Sequence, residues 1–396
     1  MGFHLAGYGV QTAVFAPRWK DRLGHEVALG SLYGLQGGPM NWNGIPCYPC
    51  GLQDGMGHDV MPAHAAHFGA DLLVTLFDAW VLDGDRLQAR GHRWVPWFPV
   101  DSEPIPAAVL RSVEKAWQPV VFSRFGERMA REAGLDVRYV PHGADSSVYH
   151  PPADRALERQ ARTFGEDRFV VGIVAANKGI PARKSWPEML DAFSRFHRRH
   201  PEALLYLHTF LGTDMQGVNI SEYVEHLGIP DDAIKACDQY QNLLGYPSEW
   251  MAGMFGALDV LMNVAMGEGF GVPLMEAQMC GTPPITGAWT AQEELCIDGW
   301  TVAKEDADRW WTPQAGYQYR PRVAAIEDAL ERAYQEWSAG KITDARRSDL
   351  AQATASLYDA DRVTDAYWRP FFDECAARIE AETQVELPPV EIEATA

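Results

Sequence analysis

The 396-residue sequence has few long hydrophobic runs and little positive charge. No stretch is apolar enough to span a bilayer, and no basic segment followed by an apolar one opens the chain, so we expect a cytoplasmic protein. Lysine and arginine number 34 against 54 acidic residues, which gives a net charge of −20. Because this charge repels nucleic-acid phosphates and anionic lipids, neither duplex nucleic acid nor a membrane is expected as a main partner.

Cysteine is also scarce, with six residues scattered along the chain. Cys47 and Cys50 form a C-x-x-C, but no second pair follows at the spacing of a zinc ribbon. Both lie in a proline-rich segment, residues 44–51, that is typical of a strand and turn. We interpret them as ordinary buried or loop thiols, and a redox pair or a metal site is the alternative.

The chain contains enough residues for two domains with separate cores. Strand-like and helix-like segments alternate in both halves, and this pattern predicts parallel sheets covered by helices on both faces. In the first half we predict helices at 10–23, 63–68, 107–115 and 127–133, and strands at 26–32, 71–77, 94–100, 119–123 and 137–140. In the second half we predict strands at 169–175, 203–208 and 258–263, and helices at 186–198, 221–226, 248–255, 323–337 and 344–358.

A glycine-rich loop followed by a short helix is the most informative segment, residues 266–285. Bare backbone at the loop glycines can approach a ligand closely, and a helix start after such a loop is suited to bind an anion. Glu268 stands before this loop and Glu276 about two turns later on the helix. The two carboxylates could therefore hold hydroxyls at two ends of one sugar nucleotide, whereas solvated surface glutamates are the alternative. The amides that would face its phosphates belong to Gly269, Phe270, Gly271 and Val272.

This segment resembles the E-x7-E motif of family 4 glycosyltransferases, which retain anomeric configuration and have the GT-B fold. Similar blocks occur at residues 7–9, 24–27, 121–126, 139–145, 148–151, 183–193 and 257–260. The resemblance implies an α/β protein with two Rossmann-like doubly wound domains facing a central cleft. It also implies that Glu268 contacts the donor sugar and Glu276 the nucleotide ribose.

The resemblance further implies a different role for each of the two domains. We predict an N-terminal acceptor-side domain at 1–165 and a C-terminal nucleotide-sugar-binding domain at 166–360. A last helix, about 361–380, should return to the first domain, and the tail 385–396 is expected to be disordered. Only residues 1–5 precede the first glycine-rich turn, so the expected opening strand is very short or lies upstream.

Arg183 and Lys184 lie in a loop just before a helix, where they can meet the phosphates of the donor. Cations are disfavoured at a helix N-terminus, so a site that tolerates two of them usually has an anion to offset them. Lys178 is the reserve candidate for a third basic contact. A solvated basic pair is the alternative interpretation.

Five further residues lie on the side of the first domain and were considered as candidates. By resemblance, the backbone of Gly7 and Gly9 would face the donor across the cleft, although a G-x-G is a common turn. Asp101 follows the predicted strand 94–100, and strand ends face the ligand crevice in such sheets. The family often places a histidine there, and this chain departs from that pattern because it has none. Asp101 could orient or deprotonate an acceptor hydroxyl, or cap a turn. Glu103 is a weaker candidate, and His142 is more readily a turn-stabilising residue than a ligand.

These expectations combine into a transferase that moves a sugar from a nucleotide-diphosphate sugar to an acceptor hydroxyl. The resemblance implies retention, with the leaving phosphate helping to take the acceptor proton. Fixed cations would replace a divalent metal, so we expect no metal and no cofactor besides the co-substrate. A GT-B-like sugar-nucleotide epimerase and a non-catalytic sugar-nucleotide-binding protein stay open as alternatives. The donor base, the sugar, the acceptor and the oligomeric state cannot be read from the sequence.

Overall fold

The computed structural model describes residues 7–88, 91–213 and 215–386. In the first half, the helices are α1 (Gly7–Asp21), α2 (Met61–Phe68), α3 (Gly84–Leu87), α4 (Ala107–Val113) and α5 (Arg124–Glu132), with a 3-10 turn at Ala79–Val81. The strands are β1 (Leu29–Gly30), β2 (Met40–Trp42), β3 (Ile45–Tyr48), β4 (Leu72–Leu76), β5 (Arg93–Phe98), β6 (Val120–Val121) and β7 (Arg138–Tyr139). Strands β4 to β7 form a parallel sheet in chain order, and a smaller sheet has the order β1-β3-β2.

In the second half, the strands are β8 (Phe169–Val174), β9 (Ala203–His208), β10 (Ile234–Ala236), β11 (Val260–Asn263), β12 (Pro284–Gly287), β13 (Trp300–Val302), β14 (Ala307–Trp311) and β15 (Tyr317–Pro321). The helices among them are α6 (Arg155–Ala161), α7 (Trp186–His197), α8 (Ile220–Leu227), α9 (Gln239–Leu244), α10 (Ser248–Ala257), α11 (Val272–Met279) and α12 (Ala291–Leu295). The chain ends in α13 (Val323–Ser338), α14 (Asp344–Tyr358), α15 (Ala360–Val363), a π-turn at Thr364–Trp368, and α16 (Arg369–Glu386). Two 3-10 turns lie at Asp231–Ala233 and Lys304–Asp306.

The second-half sheet has the order β10-β9-β8-β11-β12-β13, and all its strand pairs are parallel. Numbered from β8, this is the order 3-2-1-4-5-6 of a doubly wound sheet. Every residue of β8 is buried, because helices cover both faces of this strand. The strand order reverses between β8 and β11, so the ligand crevice is expected beyond their carboxyl ends. We call the part around β4 to β7 the first domain and the part around β8 to β13 the second domain.

The chain returns to the first domain at its end. Trp368 is fully buried, and its ring centroid lies 4.7 Å from that of Trp19 and 4.9 Å from that of Trp97. Arg18 on α1 pairs with Asp361 at 2.7 Å. These contacts confirm the predicted return of the last helix, which is broken by the π-turn and extends to Glu386.

A cavity of about 750 Å³ lies in the first domain between α1, α2, β4 and α16. All five residues of β4 are half-buried, although the sequence predicts a fully buried strand there. Strand β4 is an edge of its sheet among the residues that the structure describes, which explains the lower burial.

Several predicted elements differ from the structure. The predicted strand at 26–32 is reduced to the two residues of β1, and α1 already begins at Gly7. The hairpin β14–β15 was not predicted. The expected opening strand at residues 1–5 and most of the expected disordered tail lie outside the described residues, and the predicted domain limits stay predictions. No helix within the described ranges is long and apolar enough to cross a membrane.

Candidate functional site

Two loops meet at the point where the second-domain sheet reverses its strand order. The loop after β8 carries Arg183 and Lys184, and the loop after β11 carries Glu268. The backbone N–H of Met266 donates to the carbonyl of Arg183 at 2.8 Å, so the two loops are tied by a main-chain hydrogen bond. This topology, rather than closeness in sequence, brings the basic doublet to the acidic residue.

The side chains of these loops form one charged cluster. Lys184 Nζ contacts Glu268 Oε1, and Arg183 donates to the carbonyl oxygen of Gly267. Arg183 Nη1 lies 3.5 Å from Glu268 Oε2 and 3.7 Å from Asp101 Oδ2, which belongs to the first domain. The structure thus brings together the four residues predicted to be catalytic, while their roles in catalysis stay predictions.

Burial and the neighbouring charges shift the pKa values of this cluster in opposite directions. Burial raises the pKa of Glu268, but Lys184 and Arg183 outweigh it and hold that pKa below its ordinary value. Burial lowers the pKa of Lys184, although Glu268 opposes that shift. The exposed fraction of the side chain increases from Glu268 (6%) through Lys184 (18%) to Arg183 (36%). An anion entering from solvent therefore meets Arg183 first.

The glycine-rich loop is pressed against the first domain. A Cβ atom on Gly267 would lie 2.2 Å from the carbonyl oxygen of Asp101, and one on Gly269 would lie 2.4 Å from Pro99 Cβ. Gly271 precedes α11 with φ of +115°, a backbone conformation that favours glycine. The loop glycines are therefore required for the close approach of the two domains.

Phe270, which was predicted to offer its amide to the donor, has a buried side chain. Its ring packs against Phe122 and His142, with centroid distances of 6.4 and 5.1 Å. Burial lowers the pKa of His142 to about 3, so this imidazole is neutral at pH 7. Phe270 therefore forms an apolar contact with the first domain through Phe122 and His142. Val272 is the first residue of α11.

Glu276 lies on α11, and the structure gives it no contact with the cations. It is buried beside Tyr149, and burial raises its pKa to about 8. At neutral pH this carboxyl is therefore mostly protonated until a ligand or a cation changes its surroundings.

The remaining candidates are less closely tied to the cluster. Gly7 and Gly9 lie in the first turn of α1, which corrects the prediction of a turn before the helix. Lys178 is exposed, and its charge acts on Lys184 and on Asp78. Glu103 is bound by Lys304 at 2.7 Å and by the hydroxyl of Tyr319, so it is part of a contact between domains.

A pair missed by the sequence analysis lies on the first-domain wall of the cleft. The hydroxyl of Tyr8 donates to Asp78 Oδ1 at 3.0 Å. The negative charges of Asp78 and Asp101 act on Arg183, so the pair lies near the cluster. The signal was available, because Asp78 directly follows the predicted strand 71–77, as Asp101 follows the predicted strand 94–100.

Two further contacts hold the domains together beside the loop. Glu294 on α12 accepts from the backbone N–H of Arg124 at 2.9 Å and of Phe125 at 3.1 Å, and so caps α5 of the first domain. On the hairpin, Tyr317 and Glu103 exchange two backbone hydrogen bonds of 2.8 and 3.0 Å. The two domains are therefore in direct contact beside the glycine-rich loop.

Within residues 7–88, 91–213 and 215–386, no group of three or more histidine, cysteine or acidic side chains is arranged to hold a metal ion. Cys47 and Cys50 are both buried free thiols, in agreement with the interpretation as ordinary thiols.

Comparison with known proteins identifies glycosyltransferases among the similar sequences. No family model matches the chain. The chain is 31% identical over 166 residues to the D-inositol 3-phosphate glycosyltransferase of Corynebacterium jeikeium, a match that covers 41% of this chain and 38% of that protein. It is 27% identical over 239 residues to the GDP-mannose-dependent alpha-(1-6)-phosphatidylinositol monomannoside mannosyltransferase of Mycolicibacterium smegmatis, covering 56% and 58%. The chain thus spans roughly two fifths to three fifths of the length of these relatives.

Solved structures resemble almost the whole chain. HepE of Anabaena, in complex with UDP-glucose, has a TM-score of 0.69 at 15% identity, covering 96% of this chain and 97% of that one. A sucrose-phosphate synthase from Thermosynechococcus elongatus has a TM-score of 0.68 at 17% identity, with 90% of both chains covered. These similarities confirm the predicted fold class: the protein has the GT-B fold.

Proposed function

We propose that this protein is a glycosyltransferase that moves a sugar from a nucleotide-diphosphate sugar to an acceptor hydroxyl. The convergence of Arg183 and Lys184 on Glu268 at the switch point of the second-domain sheet carries the proposal. A binding protein would not need two cations placed beside a buried carboxylate between the domains. The GT-B fold and the glycosyltransferase relatives support the same conclusion.

The chemistry follows from where charge develops. When the anomeric bond breaks, the leaving diphosphate gains negative charge, and Lys184 and Arg183 stabilise that charge more in the transition state than in the ground state. Since these fixed cations supply the positive charge, we propose transfer without a divalent metal. Glu268 would hold the sugar hydroxyls and Glu276 the ribose, and the resemblance to family 4 supports retention of configuration.

The first experiment is a thermal-shift and calorimetric screen of UDP, GDP, UDP-glucose and GDP-mannose. The last two are the donors that appear in the names of the similar proteins. Because a ligand that binds the folded state stabilises it by mass action, a donor at a hundredfold excess over its Kd should add ~2.7 kcal/mol of stability. Failure of all four probes, together with a wider set of nucleoside diphosphates, to bind would contradict the proposal. NMR of the bound donor without acceptor would reveal an epimer if the protein were an epimerase.

A further inference from the structure

The hairpin of β14 and β15 carries two adjacent tryptophans at its surface, Trp310 and Trp311. Their exposed fractions are 39% and 54%, whereas eleven of the other twelve tryptophans are buried or half-buried. Because a large aromatic ring gains much from burial, two such rings left in water on one strand point to a binding surface.

The hairpin is fixed against both domains, beside the charged cluster. The backbone N–H of Tyr319 donates to the carbonyl of Met266 at 2.8 Å, which ties β15 to the glycine-rich loop of the second domain. Tyr317 exchanges its two backbone hydrogen bonds with Glu103, in the loop that follows β5 of the first domain. The hairpin therefore stands where the two sides of the cleft meet.

The tip of the hairpin rests on the first domain. A Cβ atom on Gly316 would lie 2.9 Å from the Cβ of Ser102, which is the residue after Asp101. The backbone N–H of Thr312 donates to the carbonyl of Gly316 at 2.9 Å and closes the turn. Trp310 lies two residues before this turn, so it stands on a fixed backbone beside the loop of Asp101.

The two tryptophans point to opposite faces of the hairpin, because side chains alternate along a strand. Trp310 is paired with Gln318, so these two side chains share a face. Gln318 is buried, and a Cβ atom on Gly267 would lie 3.0 Å from its Cγ. The carbonyl of Gly267 accepts from Arg183. Trp310 therefore lies on the face that is directed to the charged cluster.

Trp311 lies on the other face, within a set of stacked side chains. Its ring centroid lies 4.8 Å from that of Tyr317, and the guanidinium of Arg309 lies 3.8 Å from the centroid of the same tyrosine ring. Trp311 thus has the residue type and the strand of Trp310 but a different face, which makes it a matched control.

The surroundings of Trp310 favour a neutral ligand. On its face of the hairpin, Arg320 pairs with Glu188 at 2.5 Å, and Asp308 pairs with Arg322 at 2.7 Å. Because both charged residues of this face already have partners, the exposed indole is the group that remains for recognition. Its flat apolar surface with polar groups around it fits the C–H face of a pyranose, whose hydroxyls point outward.

We propose that Trp310 is an acceptor-binding residue and that the acceptor carries a sugar ring, which stacks on this indole. This inference rests on the proposed function. The stacked ring approaches the donor held by Arg183 and Lys184 from the side of the Asp101 loop. The acceptor, which is predicted to bind the first domain, then also contacts the hairpin of the second domain.

Fluorine NMR of the whole chain labelled with fluorotryptophan tests the contact without any need for turnover. The signals of Trp310 and Trp311 are identified with the variants Trp310→Phe and Trp311→Phe. Methyl mannoside, methyl glucoside and maltose are then added in the presence of saturating UDP or GDP. At least one sugar should shift the Trp310 signal and leave the Trp311 signal in place.

The affinity for that sugar gives the second measurement. In Trp310→Ala its Kd, measured by saturation-transfer NMR, should rise about 10- to 100-fold, by analogy with the loss of an aromatic stacking partner for a nucleobase. Trp311→Ala should leave this Kd within twofold. Donor Kd within twofold of wild type and an unchanged melting temperature show that Trp310→Ala is folded.

A sugar-dependent shift at Trp310, with loss of affinity in Trp310→Ala alone, supports the proposal. No shift with any of the three sugars, or equal losses in the two alanine variants, overturns it. A shift caused by lipid vesicles only, or one that follows protein concentration, also overturns it, because the occupant is then a lipid or a second copy of the chain. If calorimetry shows that the wild-type chain binds no nucleoside diphosphate or nucleotide sugar, the proposed function itself fails, so the two failures are distinguished.

Discussion

The two domains share one architecture, but they differ in the size of the sheet and in how completely its strands are buried. The second domain has six parallel strands in one sheet, and the strand at its switch point is buried along its whole length. Among the described residues, the first domain has four parallel strands, a separate small sheet and a cavity of about 750 Å³ beside the half-buried β4. The charged loops follow the tightly packed strands, and Asp78 follows the looser one.

This difference indicates that the two domains make different contributions to the site. Groups that must hold a diphosphate in fixed geometry are placed on the ends of a continuous buried sheet, where their supporting strands cannot shift. Groups on the first domain stand on elements with free space behind them, and they meet the second domain through a few specific contacts. The cations of the second domain therefore fix the position of the site, and the first domain completes it through these contacts.

The largest effect should come from the charged loops of the second domain. We expect Lys184→Ala and Glu268→Ala each to lower turnover by at least ~10²- to 10³-fold, because the leaving diphosphate and the sugar lose their fixed partners. Steady-state release of the nucleoside diphosphate measures this loss. Lys341→Ala, at an exposed lysine of the same domain, should be neutral. Near-normal turnover in both site variants would remove the basis for calling this domain the donor side.

Matched leucine truncations test the packing contrast directly. Leu205 on β9 is fully buried, so Leu205→Ala should cost ~2–5 kcal/mol of unfolding free energy. Leu76 on β4 is half-buried and lines the cavity, so its truncation removes fewer contacts and should cost ~1 kcal/mol. Urea denaturation of both variants gives the comparison. Equal losses at the two sites would show that the first domain is packed as tightly as the second.

Glu276 offers a pH-dependent test within the second domain. Its folded-state pKa of about 8 lies above its ordinary value of 4.5, so the unfolded chain releases this proton first as pH rises. Wild-type stability should therefore fall between about pH 4.5 and 8, by up to roughly a few kcal/mol, and Glu276→Gln should escape this fall. Melting curves of both proteins from pH 5 to 8 measure the difference. If the difference in stability between wild type and Glu276→Gln stays constant over this range, the pKa of Glu276 is not raised and its environment is polar.

The smallest effect should come from the contact between the domains at Glu294. Glu294→Gln weakens the cap on α5 and should cost ~0.5–2 kcal/mol, by analogy with the loss of a helix cap. Hydrogen exchange at the amides of Arg124 and Phe125 should become faster. Glu293→Gln, at the exposed neighbouring residue, is the matched control. Unchanged exchange in Glu294→Gln would mean that other contacts alone keep the cleft closed.

Three of the six strands of the second-domain sheet, β8, β9 and β11, were predicted because they lie in apolar runs, whereas the short strands β10, β12 and β13 were not predicted. The meeting of Lys184 with Glu268 could also be expected, since strand ends at a switch point converge. The Tyr8–Asp78 pair was overlooked although the same rule applies to the end of β4. The limits of β1 and the hairpin β14–β15 could not be read with confidence from local pattern, because short half-exposed strands are set by tertiary contacts.

The pairing of Glu103 with Tyr317 has a consequence for the speed of the reaction. Two main-chain hydrogen bonds would have to break for the domains to separate there, and among single substitutions only proline, which has no N–H, would remove one of them. Opening of the cleft and release of product should then depend on the length of the connection between β14 and β15 rather than on the cations. Lengthening that connection would be expected to quicken the cycle without altering which sugar is carried.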